Sequence, residues 1–204
     1  MPTADFFSRI GLFRVQDFLE ATLCAELRNQ MLSGVSQPGR VWKPGSDQDV
    51  VDPKLKQRSE ITSIATATEA LVKARLLSII PQLEGHFKVA LSDCQRPKFV
   101  IYKEGDFYSA HADSSVETSA PPSLKERKVA VTLFLNTEAA EPGQDSYCGG
   151  SLTFYGLIDE PPWDTFGLPL VGQEGLLVAF LPTVVHEVKP ITYGVRYAIT
   201  TWFF

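Results

Sequence analysis

The chain has 204 residues, of which 44% are hydrophobic and 21% are charged, and this composition excludes an intrinsically disordered protein. Its formal net charge of −5 gives no general attraction for nucleic acid, and no run of lysines or arginines gives a local one. Three widely spaced cysteines, Cys24, Cys94 and Cys148, match neither a metal pattern nor a disulfide framework, so we expect reduced thiols in a cytoplasmic protein.

The hydrophobic segments of the chain are short. Charged residues interrupt the N-terminal segment, so we expect no signal peptide, and no apolar run approaches the roughly 20 residues of a membrane-spanning helix. We therefore expect no membrane partner. A chain of this length commonly forms a single core, and we expect one domain over residues 1–204.

The first half of the sequence predicts helices. Asp17 is placed to cap a helix that runs to Gly34 and carries apolar residues at helical spacing. Residues 35–56 are rich in Pro, Gly and charged residues and are predicted to form a loop. A second helical stretch is predicted from Ala67 to Leu91, interrupted near Pro81.

After Pro97 the period becomes that of short strands bounded by Gly, Pro, Asn and Asp. Crossover helices are missing, so the sheet must be mainly antiparallel. We therefore predict a mainly β fold, a double-stranded β-helix or jelly roll over residues 97–204, with a helical support region, residues 1–96, packed on one sheet. The predicted strands are KFVIYKEG, FYSAHADS, KVAVTLFLNT, GSLTFYGL, EGLLVAFL, HEVKPITY and RYAITTWFF.

Two histidines and one aspartate of the second half form a candidate metal site. His111 and Asp113 stand two apart in a predicted strand and so point to one face, and a jelly roll can bring the distant His186 beside them. Two imidazoles and one carboxylate on one face leave three positions open, as in non-haem Fe(II) oxygenases. The alternative is a surface His-x-Asp pair unrelated to a core histidine. The remaining histidine, His86, lies in a helical stretch with no ligand partner and is taken as structural.

Arg196 follows His186 by ten residues, across a segment, KPITYG, that is predicted to turn between antiparallel strands. It opens an apolar strand, so its side chain is expected to face the same cavity. A guanidinium offers a planar donor fork that suits a carboxylate. A dicarboxylate that chelates a metal at one end needs such an anchor at the other, although an arginine in a surface ion pair is the alternative.

The second half resembles the prolyl 4-hydroxylase-like family of Fe(II)/2-oxoglutarate oxygenases. In that family a tyrosine precedes His-x-Asp, a strand ends in Leu-Asn, Gly-Gly opens the next strand, and a Gly-x-Arg-x5-Trp segment closes the fold. All four features occur here in order, in the segments FVIYKEGDFYSAHAD, KVAVTLFLN, GGSLTFYG, GLLVAFLPTVVHEVKP and YGVRYAITTWF.

The resemblance implies an Fe(II)/2-oxoglutarate dioxygenase that couples decarboxylation of the co-substrate to hydroxylation of a C–H bond. Its cofactors would be Fe(II), 2-oxoglutarate and O2, with ascorbate as a further candidate. It makes the three residues named above iron ligands, Arg196 the anchor of the far carboxylate, and Tyr102 a hydrogen-bond partner of the co-substrate. Thr132 and Thr200 are expected to line the cavity, and Arg58 is a candidate substrate contact near its mouth.

Two positions depart from the family pattern: Ala198 stands where many members have a hydroxyl residue, and Phe134 where some have a tyrosine. Two other functions stay open, a degenerate jelly-roll binding module and a metal-dependent cupin-type enzyme without 2-oxoglutarate. The acidic charge, and Trp202 in place of a second arginine, disfavour a nucleic-acid dealkylase. The substrate, which the resemblance allows to be a prolyl residue in a polypeptide or a small molecule, and the oligomeric state are not predicted.

One long connection, Ser114–Arg127, follows Asp113 directly and contains few apolar residues. Connections of this length in a compact domain are often lids. We predict that it covers the site and orders when substrate binds.

Overall fold

The computed structural model describes residues 5–46, 48–143, 145–158, 160–161 and 165–204. Within these ranges the helices are α1 (Phe6–Arg9), α2 (Ala21–Ser33), α3 (Thr66–Leu77), α4 (Ile80–Phe87) and α5 (Pro122–Lys125). The strands are β1 (Phe13–Val15), β2 (Ser36–Pro38), β3 (Lys56–Gln57), β4 (Ser59–Ile61), β5 (Lys98–Tyr102), β6 (Phe107–His111), β7 (Val129–Phe134), β8 (Tyr147–Gly149), β9 (Leu152–Phe154), β10 (Leu168–Leu170), β11 (Leu177–Phe180), β12 (His186–Val188), β13 (Ile191–Gly194) and β14 (Arg196–Phe203).

The strands form a seven-stranded major sheet, in the order β1-β11-β7-β14-β5-β4-β2, and a five-stranded minor sheet, in the order β10-β9-β12-β6-β3. A two-stranded sheet, β13-β8, lies beside them. Neighbouring strands of the described sheets run antiparallel, as in β14 with β5 and β12 with β6. The predicted mainly antiparallel jelly roll is confirmed.

Both faces of the major sheet are apolar, and both are covered: one by the helices and the other by the minor sheet. On β7, Val129, Val131 and Leu133 belong to the core shared with the helices, whereas Ala130 and Phe134 belong to the core between the two sheets. Side chains alternate between faces along a strand, so the continuous apolar run of β7 is what a central strand covered on both sides requires. Helices therefore support the sheet from outside while its inner face remains available for a site.

The helical layer packs on the major sheet as predicted, but α2 begins later than expected. It starts at Ala21 rather than after Asp17, because Asp17 adopts a left-handed conformation (φ 52°) and the N–H groups of Phe18 and Leu19 both donate to the Gly175 carbonyl. The predicted end of the helix at Gly34 is correct.

The second helical stretch is interrupted as predicted, with Pro81 in the first turn of α4. It ends at Phe87 and not at Leu91, because Lys88 takes a left-handed conformation (φ 58°) that stops the helix. None of the described helices is long and apolar enough to cross a membrane.

Two predicted connections differ from the structure. The loop over residues 35–56 contains β2 and ends at the start of β3. The segment KPITYG is not a hairpin turn, because Ile191–Gly194 forms β13 and pairs with β8. The chain uses this strand to cross from the minor sheet to the major sheet, so His186 and Arg196 lie on different sheets.

Candidate metal centre

Strand pairing in the minor sheet brings the two histidines together. His111, at the end of β6, lies opposite His186, at the start of β12, and their rings are 4.3 Å apart. Asp113 follows β6, where its N–H donates to the Pro182 carbonyl at 2.8 Å. One carboxylate oxygen lies 3.6 Å from His111 Nε2 and the other 3.6 Å from His186 Nε2. The three ligand atoms lie within 4.8 Å of one another, so one ion can contact all three.

Backbone carbonyls orient both imidazoles. His111 Nδ1 lies 2.8 Å from the Ser109 carbonyl, and His186 Nδ1 lies 3.0 Å from the Val184 carbonyl. Because a carbonyl only accepts, each Nδ1 donates its N–H to that carbonyl, and each Nε2 is left pointing toward Asp113. Hydrogen bonds of this kind fix the tautomer and ring direction of metal-ligating histidines.

The charge states of the cluster also suit a cation. Burial lowers the pKa of His186 to about 4, which keeps that imidazole neutral at pH 7. Burial raises the pKa of Asp113, but the neighbouring His186 and His111 outweigh it and hold the pKa below its ordinary value. Neutral imidazoles and an ionised carboxylate are the forms that bind metals.

Arg196 lies in the same cavity and is 1% exposed. It stands on β14 opposite Tyr102, and its guanidinium packs 5.0 Å from the ring centroids of Tyr102 and Phe134. Its Nε has no hydrogen-bond partner among the described residues. The arrangement leaves a buried cation facing the metal cluster, free to take an anion.

Further polar groups of the cavity also lack partners within the described part of the chain. Thr200 lies opposite Thr132 on β7, and both line the cavity. The Thr200 hydroxyl is buried and unpartnered, and the buried Trp202 indole N–H interacts with Asp113 without a hydrogen bond of ordinary geometry. Buried donors normally have a partner in native structures. A 2-oxo dicarboxylate between the His–Asp cluster and Arg196 would supply acceptors for them, so these residues fit iron with 2-oxoglutarate.

Tyr102 is held by a buried ion pair. Arg58 Nη1 donates to the Tyr102 hydroxyl at 2.8 Å, and Arg58 Nη2 donates to Glu60 at 2.9 Å. The arginine lines the cavity but is 7% exposed, so it does not stand free at the mouth. Its role as a substrate contact stays a prediction, whereas its observed contacts position Tyr102.

The structure adds residues that sequence reasoning did not select. Tyr108 stacks on the His111 ring with 3.5 Å between centroids. Arg127 donates to the Asp113 carbonyl oxygen at 2.7 Å and lies 3.6 Å above the Trp202 ring. Tyr147 is fully buried, and its hydroxyl makes no hydrogen bond of ordinary geometry. Burial raises the pKa of Tyr147 to about 12, while the positive charge of Arg196 opposes that rise.

The only sequence signal for these residues was strand alternation. Tyr108 precedes His111 by three residues, so an alternating strand predicts it on the opposite face. A register shift between the His186–His111 and Val188–Tyr108 pairs breaks this alternation, so Tyr108 lies on the same side as His111. Strand alternation does place Trp202 on the inner face with Arg196 and Thr200. Arg127 lies in the predicted lid, where the sequence shows no periodicity.

The cavity itself has a volume of about 350 Å³. The inner faces of both sheets and the segment from Ser114 to Arg127 line it. A second cavity of about 290 Å³ adjoins it and shares Arg40, Asp49 and Lys98. We call these two adjoining cavities the groove, which extends from the His–Asp cluster to β4 and β5 of the major sheet.

The chain is similar in sequence to known proteins. Residues 97–204 match the family model described as the 2OG-Fe(II) oxygenase superfamily. A PKHD-type hydroxylase of Klebsiella pneumoniae is 30% identical over 197 residues, which cover 94% of this chain and 77% of that protein. A PKHD-type hydroxylase of Cupriavidus pinatubonensis is 35% identical over 108 residues, 52% of this chain and 41% of the relative.

Solved structures with the same fold include two prolyl hydroxylases. A Pseudomonas putida prolyl-4-hydroxylase matches 95% of this chain and 91% of its own, with 22% identity and a TM-score of 0.67. A Trichoplax adhaerens prolyl hydroxylase, solved with a peptide fragment of hypoxia inducible factor, matches 97% of this chain and 85% of its own, with 24% identity and a TM-score of 0.72. At these identities the likeness concerns the fold, and it confirms the predicted jelly roll.

Proposed function

Because this chain belongs to the 2OG-Fe(II) oxygenase superfamily, it is an Fe(II)/2-oxoglutarate-dependent dioxygenase, and we propose that His111, Asp113 and His186 hold its iron. Arg196 anchors the far carboxylate of 2-oxoglutarate. Iron, 2-oxoglutarate and O2, when bound, would supply the oxidising chemistry: one oxygen atom of O2 enters succinate as the co-substrate loses CO2, and the other hydroxylates a C–H bond of the substrate.

The protein's own residues prepare the site for this chemistry. The carbonyls of Ser109 and Val184 hold both imidazoles with Nε2 inward. Arg58 fixes the Tyr102 hydroxyl, which donates to the co-substrate, and Thr132 and Thr200 add hydroxyls to the wall. Burial of these groups keeps water away from the reacting atoms and strengthens each electrostatic contact.

The single observation that carries the assignment is one cavity that holds both the His–Asp–His cluster and a buried arginine without a carboxylate partner among the described residues. A cupin-type enzyme that does not use 2-oxoglutarate would have no need for Arg196 there. A degenerate binding module would have no need for a complete cluster with oriented imidazoles. The two features together favour a 2-oxoglutarate enzyme over both.

We propose a prolyl residue in a polypeptide as the substrate. The structural neighbours named above are prolyl hydroxylases, one of them solved with a peptide. The groove beyond the cavity offers room for chain on one side of the reacting residue. A small-molecule substrate is the second candidate, and it would leave that extension of the groove unused.

We further propose a reductant, a domain organisation and a cellular location. Ascorbate supports turnover by keeping iron reduced, and residues 1–204 act as one domain. The enzyme works in the cytoplasm, in keeping with three free, buried cysteines, and its negative charge keeps it from nucleic acid.

The test is turnover of the Fe(II) protein with 2-oxoglutarate, O2, ascorbate and a panel of proline-containing peptides. Succinate should form in step with a gain of one oxygen atom on a peptide proline. Asp113→Ala should abolish both products, whereas the matched control Asp93→Ala, a half-exposed aspartate paired with Lys73, should retain them. Absence of succinate from the iron-loaded wild type would refute the function, and succinate without any modified peptide would refute the prolyl substrate.

A further inference from the structure

The cavity beside the candidate metal centre is basic, although the protein as a whole carries a net charge of −5. Six cationic residues line it, against the acidic residues Asp49, Asp113 and Glu117. The cations are Arg40, Lys56, Arg58, Lys98, Arg127 and Arg196. A local charge opposite to that of the whole molecule indicates what the cavity binds.

Three of these six charges have a counterpart, and a fourth, that of Arg40, belongs to an exposed residue. Arg58 and Lys98 share Glu60, at 2.9 and 3.8 Å. Under the proposed function, the iron and Arg196 offset the charges of Asp113 and 2-oxoglutarate. Two cations of the inner cavity, Lys56 and Arg127, are left without an acidic partner within 4 Å among the described residues.

Lys56 is a buried lysine that faces the cavity. Its side chain is packed beside that of Arg58 against Gly39, where an added Cβ would lie 3.0 Å from Lys56 Cδ. The residue is 6% exposed, and its ammonium lies 4.3 Å above the Tyr108 ring. One donor is used on the Arg40 carbonyl at 2.5 Å, so two of the three N–H donors of an ammonium remain for a ligand.

Burial and the nearby charge of Arg58 lower the pKa of Lys56 to about 6. The charges of Glu60 and Asp113 act in the opposite direction but do not offset the effect of burial, which favours the neutral amine. An anionic ligand would restore the ordinary pKa, and the free energy of that restoration would add to its binding.

Arg127 stands on the other side of the cavity, before β7 of the major sheet. It contacts the Asp113 carbonyl oxygen, the Trp202 ring and the Gln95 side chain, at 2.7, 3.6 and 3.1 Å respectively. All three partners are uncharged. The guanidinium is therefore oriented beside the metal cluster, where Asp113 and Asp49 act on its charge from a distance but no described carboxylate forms an ion pair with it.

We propose that Lys56 and Arg127 bind carboxylates of the substrate, and that the enzyme acts on polypeptide segments with aspartate or glutamate next to the residue it hydroxylates. This inference rests on the proposed function and names its substrate class. The acidic surface of the protein would repel such a peptide elsewhere, so the attraction is confined to the cavity. The second cavity, which shares Arg40 and Lys98 with the first, is lined by three basic and three acidic residues, so the excess of positive charge is confined to the cavity beside the metal cluster.

The experiment measures binding of paired peptides to the Zn(II)- and 2-oxoglutarate-loaded protein by fluorescence anisotropy. The peptides carry proline flanked by glutamate or, in the twin, by glutamine. A charge-assisted hydrogen bond is worth about 1.5–3 kcal/mol, so the acidic peptide should bind roughly ten- to a hundred-fold more tightly. High salt should reduce that ratio because it screens the charges.

Single substitutions test whether Lys56 and Arg127 cause the preference for the acidic peptide. Lys56→Met and Arg127→Gln should each remove most of the difference between the twins, whereas Lys54→Met, an exposed lysine of the same segment, should keep it. Lys56→Glu should prefer a peptide with lysine in place of glutamate, and this reversal cannot come from misfolding.

Equal affinity of the twins, no binding of either, or full discrimination in Lys56→Met would overturn the inference. Preference for a phosphoserine peptide alone would overturn the carboxylate assignment. A separate titration of anaerobic Fe(II) protein with 2-oxoglutarate distinguishes the two levels. If the visible metal-to-ligand charge-transfer band of the Fe(II)–2-oxoglutarate complex forms while the two peptides bind with equal affinity, only the inference fails. If no band forms, the proposed function fails.

Discussion

Truncation of Arg196 tests the co-substrate anchor. The guanidinium is 1% exposed and has no acidic protein partner among the described residues, so Arg196→Ala leaves no protein carboxylate unpaired and its main loss is the co-substrate contact. A charge-assisted bidentate contact is worth about 1.5–3 kcal/mol, and an unpaired buried carboxylate adds to the loss. At about 1.4 kcal/mol per decade, the dissociation constant of 2-oxoglutarate should rise by roughly ten- to several hundred-fold.

The assay is calorimetric titration of the Zn(II)-loaded protein with 2-oxoglutarate. Arg196→Lys should recover part of the affinity, because the charge returns without the planar fork. Arg75→Ala, an exposed arginine paired with Glu20, is the matched control and should bind as wild type does. Metal content should not change in any of the three variants. Equal affinity in Arg196→Ala and wild type would refute the anchor.

Four further predictions concern the metal ligands, the helix–sheet core and the predicted lid. Asp113→Ala should lose the metal, because one of three ligands disappears; retained stoichiometric iron by elemental analysis would contradict this. In the metal-free protein, burial lowers the pKa of His186 to about 4 against about 6.5 in an unfolded chain. Thermal stability should therefore fall as the pH drops from 6.5 toward 4, because the unfolded state takes up a proton that the folded state resists; a flat profile would count against neutral imidazole. Leu27→Ala, in the helix–sheet core at 0% exposure, should cost about 2–5 kcal/mol in urea unfolding, whereas Leu32→Ala on the exposed face of the same helix should cost about 0.5 kcal/mol or less. The segment Ser114–Arg127 should exchange its amide hydrogens quickly alone and slowly with 2-oxoglutarate and the acidic peptide; unchanged exchange would remove its role as a lid.

Strand alternation predicted which residues of β14 share one face. Arg196, Thr200 and Trp202 are separated by even numbers of residues along β14 and share its inner face, as the period of two requires. The pairing of His111 with His186 followed from the antiparallel fold class and from motif order, not from local pattern. The family resemblance supplied the long-range arrangement that alternation alone does not give.

Other features depended on contacts between distant segments and could not be predicted locally. The start of α2 is set by the Gly175 carbonyl, which takes two N–H groups before the helix begins. Arg58 became a buried ion-pair partner because β4 joins the edge of β5. Lys56 entered the cavity because β3 pairs with β6, and nothing in the charged loop before it indicated burial.

Binding of iron and 2-oxoglutarate in one cavity can be observed directly by visible spectroscopy. Anaerobic wild-type protein with one equivalent of Fe(II) should develop a visible metal-to-ligand charge-transfer band when 2-oxoglutarate is added, because the co-substrate chelates the metal through two oxygen atoms. The band should saturate at one co-substrate per chain and should be absent in Asp113→Ala. Iron-loaded wild type that shows no band at saturating 2-oxoglutarate would contradict the account.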